Sequence, residues 1–226
     1  MTTATAQPMT SPQTVVLVHG LYMRGSAMGL LARRLRQAGY QTISFTYPSR
    51  RSLADNAGSL GRLVDTLPRP VVHFVAHSLG GLVIRRLVAD KPDLPPGRVV
   101  TLGTPHQGSQ AAWGLGAGWL KFILGRSIEG LLGDVPCWPQ GRELGSLAGT
   151  LNAGMGRLFG PVPVPADGTV AVVETYLAGM ADHICLPVSH TGLLVSDVVA
   201  AQVSAFLATG RFYHGTAGGA AQPSSS

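Results

Sequence analysis

Short apolar segments alternate with amphipathic helical segments through the first half of the chain. The apolar segments predict buried strands at residues 14–18, 41–47, 71–76 and 98–102. Helices are predicted between them at 26–38, where Ser26 would be the cap, at 52–67, and in the segment that follows Ser78. Because strands joined in this way need right-handed crossovers, the fold class is predicted to be α/β, with a mainly parallel central sheet flanked by helices on both faces.

The length and composition fit one domain with a substantial core. The chain has 226 residues, 45% of them hydrophobic and 12% charged. We predict a flexible N-terminus at 1–13, a domain at 14–210 and a disordered tail at 211–226. Within the domain, a segment rich in Gly, Trp and Leu at about 106–140 interrupts the alternation and is predicted to be a cap-like insertion. Later elements are predicted at 142–148 (strand), 182–187 (strand) and 193–207 (helix). The residues of this last helix that are predicted to face the core are Val195, Val198, Val199, Val203, Phe206 and Leu207.

The charge pattern and the chain ends narrow the set of partners. Lys and Arg number 17 against 11 Asp and Glu, but the arginines are scattered and no basic run is interleaved with aromatic residues, so nucleic acid is not expected as a partner. The excess of positive charge leaves open a weak association with membrane surfaces. No secretory signal is recognised at the N-terminus and no apolar run is long enough to span a bilayer, so a cytoplasmic location is expected. Neither cysteine has the spacing of a zinc site, and no metal or cofactor is predicted.

A serine between small residues stands where the third predicted strand meets the next helix. The segment Ala76-His77-Ser78-Leu79-Gly80-Gly81 follows the apolar run from Val71. This arrangement is typical of a nucleophile elbow, in which the serine adopts a strained backbone conformation that small neighbours permit. Ala76 replaces the more usual glycine. The alternative is an ordinary strand-to-helix connection in which Ser78 only caps the helix.

A nucleophilic serine needs a base, and His190 has the most suitable position among the seven histidines. It follows the last predicted strand by a few residues and precedes the final helix. The other histidines lie within strands, at strand ends, in the elbow itself or in the tail. The alternative for His190 is a histidine of a surface loop.

The predicted acid is Asp167, in the segment Ala166-Asp167-Gly168. It lies between Ser78 and His190 in the chain, which is the order that this architecture requires. Asp182 is closer to His190 in sequence, but a strand would hold the two about 20 Å apart at ~3.3 Å per residue. Glu174 is a further candidate. Asp167 could also be a structural turn residue, since aspartate before glycine is common in turns.

An oxyanion needs hydrogen-bond donors at fixed positions, and two backbone amides are candidates. One is the N–H of Leu79, directly after the serine. The other is the N–H of Leu21, in the turn that follows His19-Gly20 at the end of the first strand. The residues expected to line a substrate pocket are His19, Tyr22, His77, His106, Trp113 and Trp119. The tryptophans could instead pack the insertion onto the sheet.

Together these motifs resemble the α/β-hydrolase superfamily, and within it the bacterial lipases and esterases. The resemblance rests on segments 16–20, 76–81, 102–109, 167–170 and 188–192, in this order along residues 14–210. In relatives the aspartate of an Asp-Gly-x-Val segment is the acid, which favours Asp167 over Asp182. The Gly-Thr-Pro-His segment resembles one that shapes the pocket beside the nucleophile, which implies a pocket role for His106.

These residues predict a serine carboxylic-ester hydrolase that acts on small-molecule esters with an apolar acyl group. Ser78, His190 and Asp167 would form the triad, and the Leu21 and Leu79 amides would bind the oxyanion. The same residues would serve a thioesterase or an acyltransferase. A third reading is a lipid-binding or partner-binding member without catalytic activity. The sequence defines neither the acyl-chain length nor the oligomeric state.

Overall fold

Parallel strands form the centre of the molecule. The computed structural model describes residues 13–68, 70–108, 135–153 and 164–215. Within these ranges one sheet contains six strands in the order β2-β1-β3-β4-β5-β6, and every neighbouring pair is parallel. The strands are β1 Thr14–Val18, β2 Gln41–Phe45, β3 Val72–His77, β4 Val99–Leu102, β5 Leu144–Gly149 and β6 Asp182–Leu186. The predicted α/β class with a mainly parallel sheet is confirmed.

Helices cover both faces of this sheet. They are α1 Gly29–Gln37, α2 Leu53–Asp65, α3 Leu79–Asp90, α4 Gly192–Val195 and α5 Asp197–Thr209. Alternate residues of a strand point to opposite faces, so Val16 and Val18 pack with α2 and α3, whereas Val15 and Leu17 pack with α1 and α5. This explains why β1 is apolar at every position. None of the described helices is long and apolar enough to cross a lipid bilayer.

The strand order determines where a site can form. From β1 the chain moves outward to β2 and then returns to β3 on the other side of β1. The connections therefore diverge at the carboxyl ends of β1 and β3 and leave a crevice there. Gly20 follows β1 and Ser78 follows β3, so the two predicted parts of the site flank this crevice.

The first helix begins later than predicted, and Ser26 does not cap it. Gly25–Met28 forms a 3-10 helix, and Met28 is the N-cap residue of α1. Gly25 is held against the end of β2, where its N–H donates to Thr46 Oγ1 at 3.1 Å and an added Cβ would lie 2.7 Å from the same oxygen. This contact fixes the backbone before α1, which the apolar spacing of the helix does not reveal.

The final helix, predicted as one segment over 193–207, is divided at Ser196. This residue has extended backbone (ψ 134°), and its side chain accepts a hydrogen bond from the Val199 N–H as the cap of α5. The break changes the helical phase. Val195 and Val198, predicted to face the core, are therefore 55% and 56% exposed. Val199 keeps its predicted place in the core.

Residues packed against the domain extend beyond the boundary predicted at 211. Phe212 is buried, and its ring centroid lies 4.9 Å from that of Phe206 in α5. The Tyr213 N–H donates to Gln202 Oε1 at 2.8 Å. The tail was therefore predicted to begin too early, because an aromatic residue after a helix can return to the core. Residues 216–226 and 1–12 lie outside the described part of the chain.

Arg85 of α3 is hydrogen-bonded to residues near both ends of the predicted insertion. Its guanidinium donates to the carbonyl oxygen of His106 at 2.6 Å and to that of Pro136 at 2.5 Å. The arginines are scattered along the sequence, and the structure shows that Arg85 is one of the buried residues. Residues 109–134, which include Trp113 and Trp119, lie outside the described residues.

Candidate active site

Ser78 has the backbone conformation expected of a nucleophile elbow. It lies between the last residue of β3 and the first residue of α3, with φ 52° and ψ −123°. A positive φ is strained for a residue with a side chain and persists only where the surroundings enforce it. Here the Ser78 N–H donates to the Leu102 carbonyl oxygen at 2.9 Å, and the Thr104 hydroxyl donates to the Ser78 carbonyl oxygen at 2.9 Å.

The two glycines after Ser78 allow α3 to approach the strands closely. A Cβ on Gly80 would lie 2.5 Å from the Val18 carbonyl oxygen, and one on Gly81 would lie 2.2 Å from Thr104 Oγ1. The elbow is thus fixed between the ends of β1 and β4. Thr104 was not predicted to have this role, although the Gly-Thr-Pro-His motif contains it.

We expect Gly80→Ala to destabilise the protein by about 3 kcal/mol, because the added methyl group would meet backbone atoms that cannot move aside. Urea unfolding followed by circular dichroism measures this change. Gly29→Ala is the matched control, since nothing lies within 4 Å of a Cβ at Gly29; there we expect a change below about 1 kcal/mol. Equal stabilities of the two variants would contradict the close packing of the elbow.

His190 and Asp167 are hydrogen-bonded to each other. The His190 Nδ1–H donates to Asp167 Oδ2 at 2.7 Å, and the His190 backbone N–H donates to the Asp167 carbonyl oxygen at 2.9 Å. The other carboxylate oxygen, Oδ1, accepts the N–H groups of Thr169 at 2.9 Å and Val170 at 2.8 Å. Asp167 is 1% exposed. One carboxylate oxygen of Asp167 therefore stabilises the turn through Val170, and the other binds the His190 ring.

The two alternative acids have other partners. Asp182, at the amino end of β6, accepts the Phe212 N–H at 2.8 Å and pairs with His214 at 2.9 Å. Glu174 is buried in the 3-10 helix Val172–Thr175, where Oε2 accepts the Ala171 N–H at 3.0 Å. Neither contact involves His190, which the structure pairs with Asp167.

His77 connects the elbow to the loop that carries His190. Its Nε2–H donates to the His190 carbonyl oxygen at 3.0 Å, and the centroids of the two rings lie 4.5 Å apart. Burial, together with the neighbouring His190, lowers the pKa of His77 to about 3, so its ring is neutral near pH 7. The predicted pocket role does not fit this placement, because the side chain is 1% exposed.

His19 and His106 are also enclosed, which does not support the pocket roles predicted for them. His19 is fully buried, with Nδ1–H donating to the Gly20 carbonyl oxygen at 2.8 Å and Nε2 accepting the Tyr47 N–H at 3.2 Å. His106 is buried and hydrogen-bonded to Thr101 Oγ1 at 3.0 Å. The contact between His19 and Tyr47, whose rings are stacked, has no signal in the local sequence, because Tyr47 follows a separate strand.

The segments that carry the predicted oxyanion donors meet beside the elbow. A Cβ on Gly20 would lie 3.2 Å from Ser78 Cβ, so the turn containing Leu21 passes directly next to the serine. Leu79 is the first residue of α3, where backbone N–H groups lack partners within the helix.

Tyr22, a predicted pocket residue, is 58% exposed, and its N–H donates to Ser49 Oγ at 3.1 Å.

Buried neutral histidines make stability depend on pH. Burial is the main cause that lowers the pKa of His73 to about 4 and those of His77 and His106 to about 3. Below their ordinary value of 6.5 the unfolded chain binds protons that the folded protein excludes, so stability present at pH 7 is lost as the pH falls.

From pH 6 to pH 4.5 we therefore expect the free energy of unfolding to decrease by up to about 1.4 kcal/mol per pH unit for each of these histidines, or up to about 4 kcal/mol per pH unit for the three together. Urea unfolding at a series of pH values measures this slope. A stability that does not change over this range would show that the three rings are protonated in the folded state.

A serine on a strained turn, a carboxylate-bound histidine and neighbouring backbone amides are the groups that acyl transfer requires.

Within the described ranges, no three or more His, Cys, Asp or Glu side chains are grouped so that they could hold a metal ion.

Comparison with known proteins gives a family match and structural neighbours. A model of the alpha/beta hydrolase family matches residues 15–218. The mature form of a lipase from Bacillus licheniformis is 22% identical with a TM-score of 0.69, and the alignment covers 91% of this chain and 94% of the lipase.

Two further solved structures are similar to this chain. A metagenomic carboxyl esterase is 20% identical with a TM-score of 0.66, with coverages of 82% and 68%. A thioesterase from the prodiginine biosynthetic pathway of Streptomyces coelicolor is 16% identical with a TM-score of 0.56, with coverages of 92% and 90%. At these identities the likeness shows the fold. No match is found among curated proteins.

Proposed function

As the chain belongs to the alpha/beta hydrolase family, we propose that it is a serine hydrolase of carboxylic esters with an apolar acyl group. The observation that carries this proposal is the 2.7 Å hydrogen bond from His190 Nδ1–H to Asp167 Oδ2. His77, the residue before Ser78, is hydrogen-bonded to the loop that contains His190. Ser78 is the nucleophile, His190 the base and Asp167 the acid of this proposed triad.

The reaction begins when Ser78 Oγ attacks the ester carbonyl carbon while His190 Nε2 removes the hydroxyl proton. The backbone amides of Leu21 and Leu79 bind the oxyanion of the tetrahedral intermediate, and each well-placed donor is worth about 3 kcal/mol. The carbon–oxygen bond to the alcohol then breaks, and His190 gives its proton to the departing alkoxide. Water attacks the acyl-enzyme by the same route and releases the acid.

Asp167 contributes by orienting His190 and by stabilising the imidazolium formed in each step. Since Oδ1 already accepts two backbone N–H groups, the carboxylate is fixed and directs Oδ2 at the ring. A buried, preorganised carboxylate needs no reorganisation when the proton moves. With Nδ1 acting as the donor, Nε2 carries the lone pair that accepts the serine proton.

The apolar acyl group is proposed from the sequence of the Trp- and Leu-rich segment that comes after β4 in the chain, since ligands of such folds bind beyond the carboxyl ends of the strands. The names of the similar lipase and carboxyl esterase agree with this substrate class.

Hydrolysis of p-nitrophenyl esters of increasing acyl-chain length tests the proposal. We expect turnover of these esters and covalent labelling of Ser78 by a fluorophosphonate probe. Faster turnover of matched thioesters would instead indicate a thioesterase, and ester products formed with added alcohols would indicate an acyltransferase. Absence of both turnover and labelling would support a binding protein without catalytic activity and would overturn the proposal.

A further inference from the structure

We propose that His77 is a positioning residue, whose Nε2–H bond to the His190 carbonyl oxygen sets the distance between the base and the nucleophile. This inference rests on the proposed function, because it takes Ser78 as the nucleophile and His190 as the base. It also gives a specific role to the residue before the serine of the elbow, a position that the elbow motif itself leaves undefined.

The two ends of this hydrogen bond belong to distant parts of the sheet. His77 is the last residue of β3 and is joined by a peptide bond to Ser78. His190 lies in the loop after β6, and β4 and β5 separate β6 from β3. No sheet hydrogen bond therefore joins β3, which precedes Ser78, directly to β6, which precedes His190. The 3.0 Å hydrogen bond from His77 makes this direct connection.

Asp167 cannot perform this task. Its carbonyl oxygen accepts the His190 N–H at 2.9 Å, and its Oδ2 accepts the Nδ1–H at 2.7 Å, so the two residues form a unit with its own internal geometry. Both contacts orient the base relative to the acid. The hydrogen bond from His77 then positions His190 and Asp167 together relative to Ser78.

The surroundings of the His77 ring suit a fixed support. A Cβ on Gly20 would lie 2.9 Å from Nδ1, so the ring is enclosed between the turn after β1 and the His190 ring, which is tilted by 49°. Nδ1 is buried without a hydrogen-bond partner among the described residues. The neutral ring thus has one N–H, on Nε2, and it places no positive charge beside the imidazolium that forms on His190.

Three substitutions separate the hydrogen bond from the shape of the ring. His77→Gln keeps an N–H donor at a similar reach, His77→Asn has a donor on a shorter side chain, and His77→Phe keeps a ring without a donor. We expect kcat for a p-nitrophenyl ester to decrease about 10-fold to 100-fold in the Asn and Phe variants, with KM within about 3-fold of wild type. The Gln variant should remain within about 3-fold in kcat.

His73→Phe is the matched control on the same strand. His73 lies at the opposite end of β3, where Nδ1 accepts the Arg98 N–H at 2.9 Å and Nε2–H donates to Gln13 Oε1 at 2.8 Å. Its replacement should lower the melting temperature but leave kcat of the folded protein unchanged. All variants are compared below their melting temperatures, and if the Phe variant of His77 does not fold, the Asn variant provides the test.

The outcome distinguishes this inference from the proposed function. If wild type neither hydrolyses esters nor reacts with the fluorophosphonate probe, the proposed function fails and the inference fails with it. If wild type reacts and the Asn and Phe variants have its kcat, the inference alone is wrong. A Gln variant as slow as the Phe variant would also overturn it, because the donor would then not be what matters.

Discussion

Replacing Ser78 by alanine is expected to lower kcat for a p-nitrophenyl ester by about 10⁶-fold, to a level set by the remaining oxyanion donors. The serine would be the only covalent nucleophile in the proposed reaction, and it follows β3 on a strained turn (φ 52°) beside the crevice between β1 and β3. Steady-state kinetics together with mass spectrometry of fluorophosphonate-treated protein measures both turnover and labelling.

Ser52→Ala is the matched control for the alternative in which Ser78 only caps a helix. Ser52 is the N-cap residue of α2, and its side chain accepts the Asp55 N–H, whereas the Ser78 side chain makes no such cap bond with α3. We expect Ser52→Ala to cost about 1 kcal/mol of stability and no activity. If Ser78→Ala behaved in the same way, Ser78 would not be the nucleophile.

Asp167→Asn is expected to lower kcat by about 10⁴-fold while the protein stays folded. The amide orientation would be dictated by the backbone. The Thr169 and Val170 N–H groups need an acceptor at the Oδ1 position, so the amide oxygen would lie there and the NH₂ group would face His190 Nδ1. Nδ1 would then have to accept, Nε2 would carry the proton, and the ring could not remove a proton from Ser78.

Asp182→Asn is the control, because Asp182 is the alternative acid. Burial raises the pKa of Asp182, but hydrogen bonds from Phe212, His214 and His183 outweigh burial and hold that pKa below its ordinary value. The carboxylate thus stabilises the fold above pH 4, and this stabilisation is lost as the pH falls further. We expect about 1 kcal/mol of lost stability at pH 7 and unchanged kcat. A loss of kcat as large as that of Asp167→Asn would contradict the assignment.

The sequence by itself determined the fold class and the small set of residues from which a site could form. Apolar runs separated by helical segments permit few arrangements other than a parallel sheet covered by helices. In such a sheet the carboxyl ends of all strands lie at the same edge. The small residues around Ser78 and the Asp167-Gly168 turn are local signals, since each depends on backbone conformations that neighbouring residues dictate. The start of the helix predicted at 52–67 is also a local feature, since the side chain of Ser52 caps α2.

Only the tertiary structure decided what the buried polar side chains do. His19 and His77 were predicted to line a pocket, but their rings are hydrogen-bonded to Tyr47 and His190, which are distant from them in the chain. His106, predicted for the same pocket, is buried as well. Val195 and Val198 were predicted to face the core, and a single extended residue, Ser196, turns them toward solvent. The physical reason is common to both. Periodicity records which face of an element is apolar, whereas a hydrogen bond depends on the position of two atoms to within a fraction of an ångström. For His77 and His190 those atoms belong to β3 and to the loop after β6, two strands that are not paired in the sheet, so their contact exists only once the sheet has assembled.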